Sequence, residues 1–210
     1  MIRVLIIDDH SIVRRGLSEV FADEFSELKI GQADNSRAAL ELITTQEWDI
    51  ILLDINIPGR SGLDVLSEIK RLRPQTPVLV ISAYPEEEFA IRALKLGASG
   101  YLNKSSASDE IVAAAKKAMA GGKYVTAVLA EKLAATVGGD LQRAPHESLS
   151  GRELQVLQMI AKGMTIKEIA AELALSEKTV GTYRSRISVK MGLATNVELT
   201  RYAMQHRLVD

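Results

Sequence analysis

Between residues 1 and 120, short apolar runs alternate strictly with segments of helical periodicity. The runs are Val4–Ile7, Leu28–Ala33, Ile50–Leu53, Val78–Ile81 and Ser99–Asn103. Val4-Leu5-Ile6-Ile7, Ile50-Ile51-Leu52-Leu53 and Val78-Leu79-Val80-Ile81 show no polar alternation, which reads as strands buried on both faces. Between them, Ser11–Phe21, Ser36–Ile43, Leu63–Leu72 and Glu86–Leu96 read as helices, and a last one runs from near Ser106 to Met119. The first turns Ile12, Val13, Leu17 and Val20 to one face, and the third turns Leu63, Leu66 and Ile69 inward. Pro74 stops the third helix, Gly97 closes the fourth, and Ser106 with Asp109 has capping-box spacing. Strand-helix alternation predicts an α/β fold, a five-stranded doubly wound parallel sheet.

In such a sheet, ligands and chemistry collect at the carboxyl ends of the strands. Here the first strand runs into Asp8 and Asp9, the third into Asp54, the fourth into Ser82 and the fifth into Lys104. One aspartate at a strand end is ordinarily a turn former or helix cap. One lysine there is ordinarily a solvated side chain, and His10 reads as solvated or packed rather than as a ligand. Convergence on one edge changes the reading. Two adjacent acids with a third across the site form an oxygen-rich pocket suited to a hard divalent cation such as Mg²⁺. Such an ion can align an in-line phosphoryl displacement. Asp54 then serves as the nucleophile, forming an acyl phosphate, with Lys104 and the Ser82 hydroxyl on the remaining phosphoryl oxygens.

The β pattern ends near Gly121-Gly122, and Gly138-Gly139 and Pro145 mark a linker with a short helix expected around Val128 to Ala135. The rest reads as a smaller all-α domain. Ser150 with Glu153 and Thr165 with Glu168 are capping boxes opening two helices. A tight turn, Ala174-Leu175-Ser176, leads to a third helix with Val180, Tyr183, Ile187 and Met191 inward, and a fourth follows near Asn196 to His206. Two short helices joined by a three-residue turn suggest a helix-turn-helix. The outward face of the third helix carries Lys178, Thr179, Thr182, Ser185 and Arg186, with Lys190 near its end, all candidates for DNA contact.

With no cysteine in 210 residues, disulfides and thiolate metal sites are excluded. No segment has the length and apolarity of a membrane span, and Met1-Ile2-Arg3-Val4 enters a strand without signal-peptide character, so a cytoplasmic protein is expected. Residues 1–122 carry 14 basic and 18 acidic side chains, and residues 146–210 carry 9 and 7. The slightly basic second half is compatible with nucleic acid without requiring it.

The stretches Leu5-Ile6-Ile7-Asp8-Asp9-His10, Leu53-Asp54-Ile55-Asn56-Ile57-Pro58-Gly59, Ile81-Ser82-Ala83 and Gly100-Tyr101-Leu102-Asn103-Lys104 resemble the receiver domain of two-component response regulators, a flavodoxin-like fold. The resemblance implies that Asp54 is the phospho-acceptor and that Asp9, Asp54 and the backbone carbonyl of Asn56 bind Mg²⁺, with Asp8 acting through water. It also implies that Ser82 and Tyr101 are the switch pair and that Lys104 contacts the phosphoryl group. Ser105 stands where proline often follows the lysine, and a non-proline cis peptide costs about 3 kcal/mol, so a trans bond is expected there. Leu149-Ser150-Gly151-Arg152-Glu153, Lys178-Thr179-Val180-Gly181-Thr182-Tyr183-Arg184 and Lys190-Met191-Gly192-Leu193 look like a LuxR-type output domain. The whole chain then resembles the NarL/FixJ family. Gly181 and Tyr183 depart from its commoner pattern, which shifts base readout toward Thr182, Ser185 and Arg186.

The expected organisation is a receiver over 1–122, a linker over 123–147 and a DNA-binding domain over 148–210. The expected function is phosphorylation-dependent transcription regulation rather than enzymatic turnover. A sensor histidine kinase would supply phosphate, and a homodimer would bind a two-fold symmetric DNA site. Two rivals are a phosphohydrolase passing through phosphoaspartate and a receiver acting only through protein contacts. Against the first, Asn56 stands two residues after Asp54, where a second carboxylate would be needed as acid and base.

Overall fold

A computed structural model describes residues 1–84, 86–131 and 144–209. The chain divides into two compact units, Met1–Gly138 and Gly139–Asp210. In the first, strands β1 (Ile2–Ile7), β2 (Leu28–Ala33), β3 (Ile50–Leu53), β4 (Val78–Ser82) and β5 (Gly100–Asn103) alternate with helices α1 (Ser11–Glu24), α2 (Ser36–Thr45), α3 (Gly62–Leu72), α4 (Glu86–Lys95) and α5 (Ser108–Met119). The sheet order is β2-β1-β3-β4-β5, with every pairing parallel. β3 and β4 are buried throughout, as their unbroken apolar runs require. Ile7 pairs with Leu53, Leu53 with Val80, and Ser82 with Asn103. That register aligns the carboxyl ends of four strands, so the residues that follow them converge.

The core on one face of the sheet joins Val4, Ile6, Ile50, Leu52, Leu79, Ile81 and Leu102 to Leu17, Phe21, Ile111, Ala114 and Ala118 of α1 and α5. Ile12, grouped with Val13, Leu17 and Val20, is 77% exposed, whereas Leu17 is buried together with Phe21, and Val13 and Val20 pack against the core. The last helix of the sheet starts later than its sequence suggests. Asn103 Oδ1 accepts from the Ser105 amide and hydroxyl, and its carbonyl accepts Ser106 N–H, so a turn occupies the expected cap. The N-cap is Ala107, without a side-chain cap. No peptide bond among the described residues is cis, in line with a trans bond before Ser105.

After α5 the chain stays stitched to β5. Tyr124 N–H donates to Ser99 O at 2.7 Å, its hydroxyl donates to Glu110, and Lys123 Nζ donates to Ala98 O. Residues 127–131 are helical, and the rest of the expected linker helix lies outside the described residues.

The second unit opens with a 3-10 turn (Pro145–Ser148), then α6 (Gly151–Ala161), α7 (Ile166–Glu172), α8 (Glu177–Met191) and α9 (Asn196–Gln205). Reciprocal capping boxes start α6 (Ser150, Glu153) and α7 (Thr165, Glu168). A third starts α9, from Thr195 and Glu198, and the spacing Thr195-Asn196-Val197-Glu198 carries it. Ala174 at φ 51° makes the tight turn between α7 and α8. α8 ends at Gly192 in the left-handed region, the usual glycine helix stop. Leu154, Leu157, Ile169, Leu173, Val180, Ile187, Leu199 and Ala203 form the core of the bundle. No helix among the described residues is long and apolar enough to cross a membrane.

Candidate functional site

Asp8 follows β1 and Asp54 follows β3, held by Asp8 N–H on Ala33 O and Asp54 N–H on Ile7 O. Both carboxylates are almost wholly buried, at 2% and 3% exposure. Lys104 follows β5, and its amide donates to Ser82 O. Its Nζ lies 2.7 Å from Asp8 Oδ2 and 2.8 Å from Asp54 Oδ2, one ammonium between two buried carboxylates. Asn56 N–H donates to Asp54 Oδ1 at 3.2 Å. Burial pushes the Asp54 carboxyl up to about 6, against the pull of Lys104 and with the help of the Asp8 charge. For Lys104, burial works to lower the pKa, but Asp54 and Asp8 outweigh it and hold the ammonium above its ordinary value.

Asp9 is half-buried, and its Oδ1 accepts no hydrogen bond although His10 Nδ1 lies 2.7 Å away, outside hydrogen-bonding geometry. Ligand atoms of Asp8, Asp9, His10 and Asp54 all lie within 4.8 Å of one another. A buried carboxylate oxygen with no hydrogen-bond donor fits a cation, and an all-oxygen trio suits a hard one. His10 is exposed and donates its backbone N–H to Asp8 Oδ1, so its first role is to fix the β1 turn. Arg14, which sequence reasoning did not single out, donates to Asp8 O at 2.6 Å.

The loop after β3 is pinned from two sides. Ser36 accepts Arg60 N–H on its hydroxyl, and its own amide donates to Pro58 O. Gly62 lies directly against the Asp54 peptide: a Cβ there would meet Asp54 O at 2.1 Å. Any side chain at position 62 would therefore have to displace the Asp54 peptide.

Ser82 and Tyr101 are both fully buried. They meet at the backbone of Tyr84, whose N–H donates to Ser82 Oγ at 3.2 Å and whose carbonyl accepts the Tyr101 hydroxyl at 2.9 Å. The Tyr84 ring packs on Phe89 at 4.9 Å between centroids. No sequence motif marks Tyr84.

In the second unit, Lys178, Thr182, Ser185 and Arg186 are exposed along one stripe of α8, and Thr179 is half-buried. Thr179 Oγ1 bonds Ser176 Oγ at the helix start, and Thr182 Oγ1 donates back to Lys178 O. A Cβ at Gly181 would meet nothing within 4 Å, so the glycine leaves an open spot on the helix. Val189, 83% exposed, continues the stripe and was not singled out. Lys190, expected near DNA phosphates, is paired with Glu153 at 2.6 Å.

The model for the response regulator receiver domain matches residues 4–116, and that for bacterial regulatory proteins of the luxR family matches residues 147–203. Response regulator GacA of Pseudomonas aeruginosa is 36% identical over 211 residues, covering 100% of this chain and 99% of its own. Response regulator UvrY of Escherichia coli K12 is 34% identical, with 100% and 97% covered. Among solved structures, RcsB from Salmonella enterica serovar Typhimurium, bound to promoter rprA in the presence of the phosphomimetic BeF3-, aligns with TM-score 0.64 at 25% identity over 96% of this chain and 97% of that one. Matched over its full length, with a receiver unit followed by a LuxR-type unit, this chain belongs to the NarL/FixJ family of two-component response regulators.

Proposed function

We propose that phosphorylation of Asp54 controls DNA binding by the second unit, making the protein a phosphorylation-dependent transcription regulator. The observation that carries this is the meeting of Asp8, Asp54 and Lys104 at one sheet edge, in a chain whose other unit exposes a polar helix-turn-helix face. Asp54 supplies the attacking carboxylate oxygen. Its bond to phosphorus forms as the bond to the phosphodonor breaks, and the product is an acyl phosphate. Lys104 follows the charge from the Asp54 carboxylate to a phosphoryl oxygen, a short move because it already lies 2.8 Å away. Asp8, Asp9, Asp54 and the Asn56 carbonyl would hold Mg²⁺, which neutralises phosphoryl charge when bound. Ser82 would turn toward the phosphoryl group, and Tyr101 would report that move.

We further infer a histidine kinase as phosphodonor, a cytoplasmic setting and a homodimer on a two-fold DNA site. For the DNA part of this reading, support comes from the likeness to RcsB bound to promoter rprA, and RcsB dimers on DNA share the fold. Lys178, Thr179, Thr182, Ser185 and Arg186 would face the DNA. The phosphohydrolase reading is disfavoured because Asn56 carries an amide where an acid-base carboxylate is needed.

The test is labelling by acetyl phosphate with Mg²⁺, followed by anisotropy of labelled DNA at two salt concentrations. Asp54→Asn should abolish labelling and the gain in DNA affinity. Undiminished labelling of that variant would remove Asp54 from its role.

A further inference from the structure

Lys190 lies in the last turn of α8, and its Nζ reaches Glu153 Oε2 at 2.6 Å and Ser148 O at 3.3 Å. Glu153 is 2% exposed, and the same Oε2 accepts Ser150 N–H at 2.6 Å. One carboxylate oxygen therefore closes the start of α6 and holds the end of α8. Each charge sits where its helix end favours it, the acid at an N-terminus and the ammonium at a C-terminus. Burial works to raise the Glu153 pKa, yet Lys190 and the Ser150 donors outweigh it and keep the group below the ordinary carboxylate range. Among the described residues, neither Lys178 nor Arg186 on the exposed stripe has an ion-pair partner. Lys190 differs from them: moving its ammonium to a DNA phosphate would strand a buried carboxylate.

We propose that Lys190 and Glu153 are a positioning pair, fixing the seat of α8 on α6 and so the aim of Thr182, Ser185 and Arg186, with Lys190 making no phosphate contact. The inference rests on the DNA-binding reading above. A phosphate contact and a positioning strut lose affinity differently. Losing a phosphate contact flattens the dependence of log K on log salt by about 1, whereas losing aim leaves the count of neutralised phosphates unchanged.

The experiment uses the full chain, phosphorylated by acetyl phosphate, and a duplex selected from a random pool by the wild type. Lys190→Met and Glu153→Gln should each weaken the selected duplex on the order of tenfold with the salt slope unchanged. The double variant should lose no more than either single one, because both remove the same interaction. Lys190→Arg, which keeps the charge, should retain most affinity. Lys178→Met is the contrast, flattening the slope by about 1. Glu153→Gln keeps an acceptor for Ser150 N–H, so it tests the pair even where Lys190→Met fails to fold. A flatter slope in Lys190→Met with Glu153→Gln neutral would overturn the positioning role and leave DNA binding standing. A wild type that binds no duplex would overturn both.

Discussion

Lys104 Nζ lies 2.8 Å from Asp54 Oδ2, and it is shared with Asp8 Oδ2 at 2.7 Å. One cation thus serves two buried anions, and the site is short of positive charge. Two consequences of that balance can be measured, and a third test probes the packing behind Asp54.

The first is a pH dependence. The folded pKa of Asp54 is raised from 3.8 to about 6, so the folded state takes up this proton more readily than the unfolded chain. The associated stability is present at low pH and is lost as pH rises from about 4 through 6. In EDTA, wild type should therefore lose up to about 3 kcal/mol across that window relative to Asp54→Asn. Urea titrations of both proteins at several pH values give the difference. Parallel curves would show that Asp54 is not held in this strained state.

The second concerns the metal. Because the site is short of positive charge, Mg²⁺ should raise the melting temperature of wild type at pH 7, since a ligand that binds only the folded state stabilises it. Asp9→Asn removes the carboxylate whose Oδ1 is buried without a donor, and it should abolish most of that gain. A thermal melt with and without Mg²⁺ decides. An equal gain in Asp9→Asn would place the ion elsewhere.

The third is mechanical. Gly62→Ala puts a methyl group 2.1 Å from Asp54 O, a contact only backbone movement can relieve. Stability should fall by roughly 1 to 3 kcal/mol or more. Labelling by acetyl phosphate should fall with it, because Asp54 moves with its peptide. Denaturation and labelling rates measured on one sample would show whether the two losses track each other.

Much of this site could be read from the chain itself. Parallel strands bring their carboxyl ends together, so Asp8, Asp54, Ser82 and Lys104 needed only strand assignments and sheet order to converge. What could not be read depends on partners set by packing. Tyr84 meets Ser82 and Tyr101 through its backbone, and a backbone donor and acceptor leave no mark in sequence. Helical periodicity placed Lys190 on the outer part of α8, but the buried acid across from it belongs to α6, 37 residues away. Ile12 fits the apolar period of α1 yet faces outward, because Leu17 and Phe21 complete that contact. Ser106 had the spacing of a cap, and the turn built on Asn103 displaced it.

The switch role proposed for Ser82 and Tyr101 yields a prediction through Tyr84. Its N–H holds Ser82 Oγ, and its carbonyl holds the Tyr101 hydroxyl, so a move of Ser82 toward a phosphoryl group pulls on the anchor of Tyr101. Ser82→Ala removes the hydroxyl without touching Asp54 or Lys104. It should still accept phosphate, but it should lose the phosphorylation-dependent rise in dimer fraction. Light scattering before and after acetyl phosphate is the measurement, and equal dimer fractions in both proteins would sever Ser82 from the switch.

The last prediction concerns base readout. Val180, Ile187 and Met191 are buried on one face of α8, which turns Lys178, Thr182, Ser185 and Arg186 to solvent. Base contacts carry sequence discrimination, while phosphate contacts carry salt-dependent affinity. Gly181 offers no side chain, so of the residues on this stripe Arg186 has the reach and the forked donors to read a guanine edge. Arg186→Ala should narrow the gap between selected and scrambled duplex by about 1 to 3 kcal/mol. Thr182 and Ser185 are shorter, so each should contribute less to the gap. Titration of the variant against both duplexes across a salt series separates the roles. If both affinities fall equally and the salt slope drops by about 1, Arg186 touches phosphate and the reading passes to Thr182 and Ser185. If only the selected duplex weakens, the α8 stripe is the reading surface and Arg186 is its principal contact.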